Sequence, residues 1–288
     1  MKIIGSLFSD DKETVKYLQK AKDNHIIETG YYNLDEHIIC ISSQIGCPMN
    51  CIFCATTAPI DSLMSSNKVF IRNLSSREIV QQVKNILQLI DKNKLNSKRI
   101  LFSYMGMGEP LLNYNNLVKS IKILNQQFPS SRTTVSTLGI KPRFMRKLAQ
   151  EKINTILKLH LSLHAPNNRL RKKILPSTKE IIPALKALNY FSSKRNILLK
   201  VNYILIKNFN DSKKQAINLA KLLQPYPFIV KLSNLNSFNC LEPCSLDKFD
   251  MFEKTLNSHG IKTCRFFSDG TDIQAGCGQL RRRFYNTK

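Results

Sequence analysis

From about residue 99 onward, short β-branched or apolar runs alternate with longer amphipathic stretches. The short runs predict strands, and the stretches with a helical spacing of apolar residues predict helices. Regular alternation of the two is typical of βα units around a parallel sheet. We predict strands near residues 99–105, 132–137, 155–163, 198–205, 228–234 and 261–267, and helices near 75–91, 115–126, 142–150, 180–192, 212–224 and 246–259.

The first strand of this series is the run Ile38-Ile39-Cys40-Ile41-Ser42. Six or so such units predict an α/β protein with a partial (β/α)6 barrel, in which catalytic loops follow the carboxyl ends of the strands. We expect residues 36–288 to form this core and residues 1–35 to form a short β-rich extension. Within the extension, Val15 to Leu18 and His25 to Tyr32 are candidate strands.

Composition limits the partners and the compartment. The chain has 288 residues, 42% of them hydrophobic, which is enough to bury a core. It carries 44 Lys and Arg against 20 Asp and Glu, a net charge of +24 that favours a polyanionic partner such as RNA. Compositional bias with solvated helix faces is the alternative for any single basic cluster. Eight cysteines without a signal peptide or a bilayer-length apolar run indicate a reducing, cytoplasmic setting and no membrane.

Three cysteines lie close together after the first strand, in the run Gly46-Cys47-Pro48-Met49-Asn50-Cys51-Ile52-Phe53-Cys54. Three thiolates on one short loop can bind three irons of a [4Fe–4S] cluster and leave the fourth iron open to a small chelating ligand. The alternative is a structural zinc site, which requires four ligands. No His occurs within ten residues after Cys54, and the stretch 55–69 is predicted to be a loop of small and turn-forming residues.

Two further segments carry candidate chemistry. Gly106-Met107-Gly108-Glu109-Pro110 follows the next strand, where glycines allow a ligand to approach the backbone and a carboxylate can accept an ammonium group. Near the carboxyl end, Gly276 and Gly278 flank Cys277 and leave its sulfur accessible for reaction. A small buried cysteine without chemistry is the alternative for Cys277.

Together these segments resemble the RlmN/Cfr family of radical SAM RNA adenine methyltransferases. The resemblance runs from about Lys16 to Lys288, and its motifs are Cys40-Ile-Ser-Ser-Gln-Ile-Gly46-Cys47, Met105-Gly-Met-Gly-Glu-Pro-Leu-Leu-Asn113, Val135-Ser136-Thr137, Ser162-Leu163-His164-Ala165-Pro166-Asn167 and Cys277-Gly278-Gln279-Leu280. It implies a radical SAM barrel with one [4Fe–4S] cluster per chain and S-adenosylmethionine (SAM), of which two molecules are used per turnover.

The resemblance also assigns roles to individual residues. Cys47, Cys51 and Cys54 match the cluster ligands. Cys277 matches the cysteine that is first methylated, Cys40 the cysteine that resolves the protein–RNA adduct as a disulfide, and Glu28 the proton acceptor. The positions that match SAM contacts in the family are Gly108, Glu109, Ser136, Ser162, Leu163, His164 and Asn239.

The function that the resemblance implies is methylation of carbon 2 of adenine in 23S rRNA, with tRNA as a further candidate substrate. The alternatives are methylation of carbon 8, which brings antibiotic resistance in the family, a radical SAM enzyme with another substrate, and a non-catalytic RNA-binding relative. A monomer that receives electrons from a flavodoxin-type donor is expected. Family members carry an additional N-terminal helical domain, whereas this sequence begins close to the catalytic core and has a longer loop after Cys54.

Overall fold

A ten-stranded sheet is the centre of the fold. The computed structural model describes residues 1–57, 69–238, 240–267, 269–270, 272–273, 276 and 278–286. The strands of the described chain are Lys2–Phe8 (β1), Thr14–Lys20 (β2), Ile26–Asn33 (β3), His37–Cys40 (β4), Gln44–Gly46 (β5), Phe70–Asn73 (β6), Ile100–Tyr104 (β7), Arg132–Thr137 (β8), Ile156–Ser162 (β9), Lys200–Leu205 (β10), Ile229–Asn234 (β11) and Thr263–Phe266 (β12).

The helices connect successive strands. Within the described residues they are Ser76–Leu87 (α1), Lys92–Ser97 (α2), Tyr114–Gln127 (α3), Pro142–Gln150 (α4), Asn168–Ile174 (α5), Ile181–Arg195 (α6), Lys213–Leu223 (α7), Leu246–Ser258 (α8) and Gln279–Asn286 (α9). Several begin with strong local signals, such as the capping box of Ser75 and Glu78 before α1 and a proline in the first turn of α4. None of the described helices is long and apolar enough to cross a membrane.

The large sheet has a parallel and an antiparallel part, in the spatial order β1-β2-β3-β4-β7-β8-β9-β10-β11-β12. Each neighbouring pair from β4 to β12 is parallel, and each pair from β1 to β4 is antiparallel. The predicted α/β class and partial barrel are confirmed, and all six predicted strands and six predicted helices occur with small shifts at their ends. Both candidate strands of the first 35 residues are also present, as β2 and β3.

Several elements were not predicted from the sequence, namely β1, the small β5–β6 sheet, α2, α5 and α9. Most are short, so hydrophobic periodicity has too few turns or alternations to indicate them. The β1–β3 meander continues the large sheet through the antiparallel pairing of β3 with β4. The boundary proposed at residue 35 stays a prediction. Most of the predicted loop 55–69 lies outside the described residues, although Ala55–Thr57 forms one turn of 3-10 helix.

The parallel strands have an apolar face and a polar face. On β9, Leu157, Leu159 and Leu161 are buried in the core formed with the outer helices. The intervening positions of β9 and the neighbouring strands line a cavity on the other face, and include Ser136, His160, Ser162, Asn202, Ile204 and Lys231. Successive side chains of a strand point to opposite faces. Every second residue therefore packs in the core, and the residues between them line the cavity.

Buried Gln82 of α1 fixes the backbone where β4 ends. Its side-chain Oε1 accepts hydrogen bonds from the Ser42 N–H at 3.0 Å and the Thr29 hydroxyl at 3.1 Å. Its Nε2 donates to the Ser42 carbonyl at 2.9 Å. One side chain therefore satisfies both backbone groups of a fully buried residue just before the cysteine loop.

Gln82→Leu should destabilise the fold through these contacts. Leucine fills similar space but removes the hydrogen bonds of Gln82 to the buried Ser42 N–H and carbonyl. We therefore expect the free energy of unfolding to fall by about 2–4 kcal/mol in a denaturant titration. Gln81→Leu is the control, because Gln81 is only partly buried and bonds Asn85 on its own helix, and it should change stability by less than about 0.5 kcal/mol. Equal stability of the two variants would contradict this role of Gln82.

Candidate active site

A cavity of about 450 Å³ lies inside the barrel, at the carboxyl ends of the parallel strands. It brings together most of the residues predicted from the sequence. Among the described residues, those lining it include Cys40, Cys47, Cys51, Cys54, Gly108, Glu109, Ser136, Ser162 and His164. Segments that are far apart in the chain therefore share one chamber, as expected for catalytic loops of a βα barrel.

The cysteine loop forms one wall of this cavity. Cys47 and Cys51 are buried and Cys54 is half-buried. The Thr57 hydroxyl donates to the carbonyl oxygens of Cys51 at 2.8 Å and Cys54 at 2.9 Å, which closes the loop on itself. Among the described residues, no group of three His, Cys, Asp or Glu side chains meets at a single metal position. Cysteines that bind a cluster each bind a different iron, so a cluster does not require such convergence.

Glu109 is fixed at the cavity wall by a set of hydrogen bonds. Its Oε1 accepts from the Thr137 hydroxyl at 2.6 Å, and its Oε2 accepts from the Leu138 N–H at 2.8 Å. Burial raises the pKa of this carboxyl, while these bonds and the nearby Arg171 act in the opposite direction. Gly108 precedes it with φ +103°, and an added Cβ would lie 2.7 Å from the side chain of Gln44. Only glycine fits there, and its presence places Glu109 against β8.

Arg171 of α5 holds the strand ends together beneath the site, and sequence reasoning missed it. Its guanidinium is buried and donates to the carbonyl oxygens of Leu138 at 2.6 Å, Ser162 at 3.1 Å and Leu163 at 3.1 Å. Burial lowers the pKa of Arg171 to about 10, so it stays charged at neutral pH. In the sequence, Arg171 belongs to a basic run that is typical of a solvated helix face. Asn167, directly before α5, is a recognisable helix N-cap.

The predicted segment of Ser162, Leu163 and His164 forms the bend that follows β9. Leu163 is buried and donates its N–H to the Asn202 carbonyl at 3.0 Å. His164 has φ +56°, and its Nδ1 accepts the Ile204 N–H at 3.1 Å. Burial and the charge of Arg171 lower the pKa of His164 to about 3, so the ring is neutral. These contacts fix the bend after β9, and the SAM contact assigned to His164 stays a prediction.

Three buried polar side chains of the cavity wall have atoms without a hydrogen-bond partner in the described structure. They are the Ser136 hydroxyl, Asn202 Oδ1 and both ring nitrogens of His160. His160 pairs with Ser136 across β8 and β9, and Asn202 pairs with Ser162 across β9 and β10, so all three point to the same face. Buried polar atoms are rarely left unpaired in proteins. The wall is therefore suited to a polar ligand that both donates and accepts hydrogen bonds.

His160 and Asn202 were not identified from the sequence as site residues. The signal was the alternation in Lys158-Leu159-His160-Leu161-Ser162, where polar residues occupy every second position of a buried strand. Burial and the charges of Lys231, Lys200 and Lys158 lower the pKa of His160 to about 3. A neutral imidazole offers one donor and one acceptor, which matches the heterocyclic or hydroxyl edges of a nucleoside.

Glu28 is a buried residue of β3, and its carboxylate reaches the amino end of α9. Its carboxylate accepts the N–H groups of Gly278 at 3.0 Å and Arg281 at 2.5 Å, and it forms an ion pair with Lys16 at 3.1 Å. Glu28 is only 2% exposed. The carboxylate therefore caps the helix that follows Cys277 and ties it to β3. Its assignment as a proton acceptor stays a prediction.

Of the two cysteines predicted to be reactive, Cys40 lies within the described residues and Cys277 lies outside them. Cys40 ends β4, lines the cavity and pairs with Gly30 of β3. An added Cβ on Gly30 would lie 2.9 Å from the ring of Tyr32 and 3.3 Å from the Cβ of Cys40, so glycine lets the Tyr32 ring pack beside Cys40. Cys277 lies outside the described residues, between Gly276 and Gly278, as does Asn239 after Phe238. Their predicted roles stay predictions.

Known proteins resemble this chain in sequence and in fold. The model of the Radical SAM superfamily matches residues 41–220. A protein of Pseudothermotoga lettingae named "Probable dual-specificity RNA methyltransferase RlmN" is 40% identical over 98% of this chain and 80% of its own length. The "Dual-specificity RNA methyltransferase RlmN" of Wigglesworthia glossinidia brevipalpis is 40% identical over 95% of this chain and 72% of its own.

The chain belongs to the RlmN family. The crystal structure of a radical SAM methyltransferase from Sphaerobacter thermophilus superposes with a TM-score of 0.84, at 31% identity, over 96% of this chain and 80% of the other. The RlmN resemblance and the radical SAM barrel predicted from the sequence are therefore confirmed. Membership implies a [4Fe–4S] cluster and SAM, and the residues present fit both. Three cysteines line the cavity, and unpaired polar atoms face it.

The buried histidine gives a pH-dependent prediction for stability. Because the pKa of His160 is about 3 in the folded chain and 6.5 as its ordinary value, only the unfolded chain gains a proton between these pH values. Stability therefore falls as the pH drops below about 6.5, and His160 contributes roughly 2 kcal/mol of that loss at pH 5. Chemical denaturation at pH 7.5 and 5.0 should show a correspondingly smaller loss in His160→Asn, and equal losses would contradict the neutral, buried state.

The Glu28 cap gives a second prediction. Glu28→Gln removes the charge that pairs with Lys16 and one of the two acceptor oxygens for α9, so we expect the amides of residues 279–286 to exchange with deuterium at least tenfold faster, a loss of about 1.4 kcal/mol of local stability. Glu13→Gln, at the turn between β1 and β2, is the matched control. Unchanged exchange in α9 would show that Glu28 does not hold it.

Proposed function

We propose that this chain is a radical SAM RNA methyltransferase that methylates carbon 2 of an adenine in 23S rRNA, with tRNA as a further substrate. The main support is that one cavity is lined by the three-cysteine loop, by Gly108 and Glu109, and by Cys40. The names of its relatives as dual-specificity RNA methyltransferases support RNA as the substrate. The net charge of +24 suits such a polyanion.

The residues around the cavity divide into three groups by what they would hold. Cys47, Cys51 and Cys54 would bind the cluster. The SAM contacts would come from Gly108, Glu109, Ser136, Ser162, Leu163 and His164, together with Asn239. When bound, the cluster and SAM supply the methyl group and the radical chemistry that an unreactive ring carbon requires. The remaining wall, with neutral His160 and Asn202, would exclude water and orient these molecules.

The two cysteines would carry the protein's covalent chemistry. The sulfur of Cys277 would accept a methyl group, and one hydrogen atom of this group would be removed by the radical chemistry that SAM and the cluster supply. The resulting methylene carbon would bond to the ring carbon, which would then lose its proton and one electron. The Cys40 thiolate would attack the Cys277 sulfur to form a disulfide, and the electron pair of the broken sulfur–carbon bond would stay on the carbon, which takes up a proton to become the new methyl group. Reduction of this disulfide requires two electrons from a thiol reductant. Cys40 lines the cavity, from which a second sulfur could approach it.

Glu28 would have two roles: it would first position the backbone after Cys277 and then accept the proton of the ring carbon. Its two hydrogen bonds to Gly278 and Arg281 fix the backbone on the carboxyl side of Cys277. For Glu28 to accept the proton of the ring carbon, one of these bonds must open. Proton transfer would then be coupled to movement of the segment that carries Cys277.

The test is mass spectrometry of nucleosides from a 23S rRNA fragment incubated anaerobically with reconstituted enzyme, SAM and reductant. We expect 2-methyladenosine. 8-Methyladenosine would assign the alternative carbon-8 activity, and SAM cleavage without any methyladenosine would contradict adenine methylation of this RNA, after which tRNA is tried in the same assay.

Variants of the cysteines test the mechanism in the same assay. Cys277→Ala should abolish methylation, and Cys40→Ala should accumulate a covalent protein–RNA adduct that is visible as a shifted band. Cys264→Ala is the control, because Cys264 is a half-buried cysteine of β12 without a proposed role. Normal methylation by Cys277→Ala would refute the covalent pathway.

A further inference from the structure

A second concave surface lies on the outside of the barrel, between α3 and α4. This groove, termed the α3–α4 groove, has a volume of about 300 Å³, and its lining includes Tyr114, Lys119, Lys122, Lys147 and Glu151. It is separate from the cavity described above, because none of its lining residues contributes to that cavity. Neither the sequence motifs nor the proposed chemistry uses it.

Aromatic rings orient the basic side chains beside this groove. Tyr114 and Phe144 are stacked with their centroids 4.8 Å apart. The guanidinium carbon of Arg143 lies 4.9 Å from the Phe144 ring, and the ammonium of Lys147 lies 5.1 Å from the Tyr114 ring. On the same helix, the guanidinium of Arg146 lies 5.2 Å from the ring of Tyr190 on α6. Cation–π contact holds a charge in place without neutralising it.

Positive charge dominates this surface. Arg143, Arg146, Lys147 and Lys119 are exposed. Among the described residues lining the groove, Glu151 is the acidic one, and its carboxylate already accepts hydrogen bonds from Lys122 at 2.8 Å and the Tyr114 hydroxyl at 3.0 Å. These bonds outweigh burial and lower the pKa of Glu151, so it is ionised and paired. The ion pair of Glu151 with Lys122 leaves the exposed Arg143, Arg146 and Lys147 accessible to an external anion.

The groove begins next to the active-site rim. Tyr114 starts α3 only five residues after Glu109, which lines the cavity. Pro142 starts α4 shortly after Leu138, which also lines it. Both helices run away from the carboxyl edge of the sheet. A polymer with one unit in the cavity could therefore continue over this edge and along the outer surface.

We propose that the α3–α4 groove and the adjoining basic surface of α4, with Lys147 in the groove and Arg143 and Arg146 beside it, bind the phosphate backbone of RNA next to the nucleotide in the cavity. The proposal rests on the proposed RNA methyltransferase function and adds a binding surface to it. The two guanidinium groups lie about 5 Å from ring centroids, and the planar fork of a guanidinium matches phosphate oxygens. An acidic protein, such as an electron donor, is the competing partner, and it forms one outcome of the test.

The test compares two variants that each remove three positive charges. In the groove variant, Arg143, Arg146 and Lys147 are replaced by Gln. In the control variant, Lys213, Lys214 and Lys221 of α7 are replaced by Gln, because these lysines are exposed on another helix. The dissociation constant for a fluorescently labelled hairpin fragment of 23S rRNA is measured by anisotropy between 50 and 300 mM salt. Thermal unfolding and RNA-independent SAM cleavage confirm that both variants are folded.

We expect the groove variant to bind the hairpin at least tenfold more weakly at low salt, and its slope of log affinity against log salt to fall by about two. The control variant should stay within about twofold. Arg143→Lys tests the stacked geometry, because it keeps the charge but loses the planar fork, and it should weaken binding by about threefold.

Equal losses in the two triple variants would overturn the proposal, because they would reflect total charge rather than this surface. Unchanged RNA binding in the groove variant, combined with slower cluster reduction by a flavodoxin, would also overturn it and identify a protein-docking face. A wild-type chain that binds no RNA under any salt condition would instead refute the proposed function itself.

Discussion

The parallel sheet must satisfy two environments at once, and the rest of the structure depends on this constraint. Its outer face packs against helices and is built from leucine, valine and phenylalanine, whereas its inner face surrounds a cavity and is rich in polar residues. Parallel strands that are covered on both faces are usually apolar throughout. Here the inner face stays polar, so strands β8 to β11 are stable only if the outer helices supply most of the hydrophobic burial. The same alternation leaves His160, Asn202 and Ser136 available to a ligand.

Two buried polar side chains hydrogen-bond the backbone at the edge of the sheet, where regular strand pairing ends. Gln82 satisfies the backbone at the end of β4, and Arg171 collects carbonyl oxygens after β8 and β9. Backbone N–H and carbonyl groups of the loops at strand ends lack partners in the sheet, so side chains from the helices supply their hydrogen bonds. Because both side chains make several bonds, the cysteine loop, Glu109 and the His164 bend are held in fixed positions. The site is therefore preorganised by groups that do not themselves take part in the reaction.

Sequence reasoning predicted the fold well, because strands and helices leave local patterns of hydrophobic period. It also identified residues that meet in one cavity although they are far apart in the chain. It missed Arg171, His160 and Asn202, whose importance depends on which strand pairs with which and at what register. A basic run gives no sign that one of its members is buried under three carbonyl groups. The resemblance assigned Glu28 as a proton acceptor, whereas its contact with the start of α9 depends on a hydrogen bond across the whole fold.

The bond between Glu28 and Gly278 spans 250 residues, and the bond from Arg281 spans 253. Contacts of such separation close a very long loop, and their entropic cost is met only when most of the sheet has already formed. We therefore expect the contact between Glu28 and α9 to be among the last to form during folding. The strands of the barrel can pair before α9 is attached to β3. In a growing polypeptide, this order separates assembly of the cavity from attachment of the carboxyl-terminal helix to it.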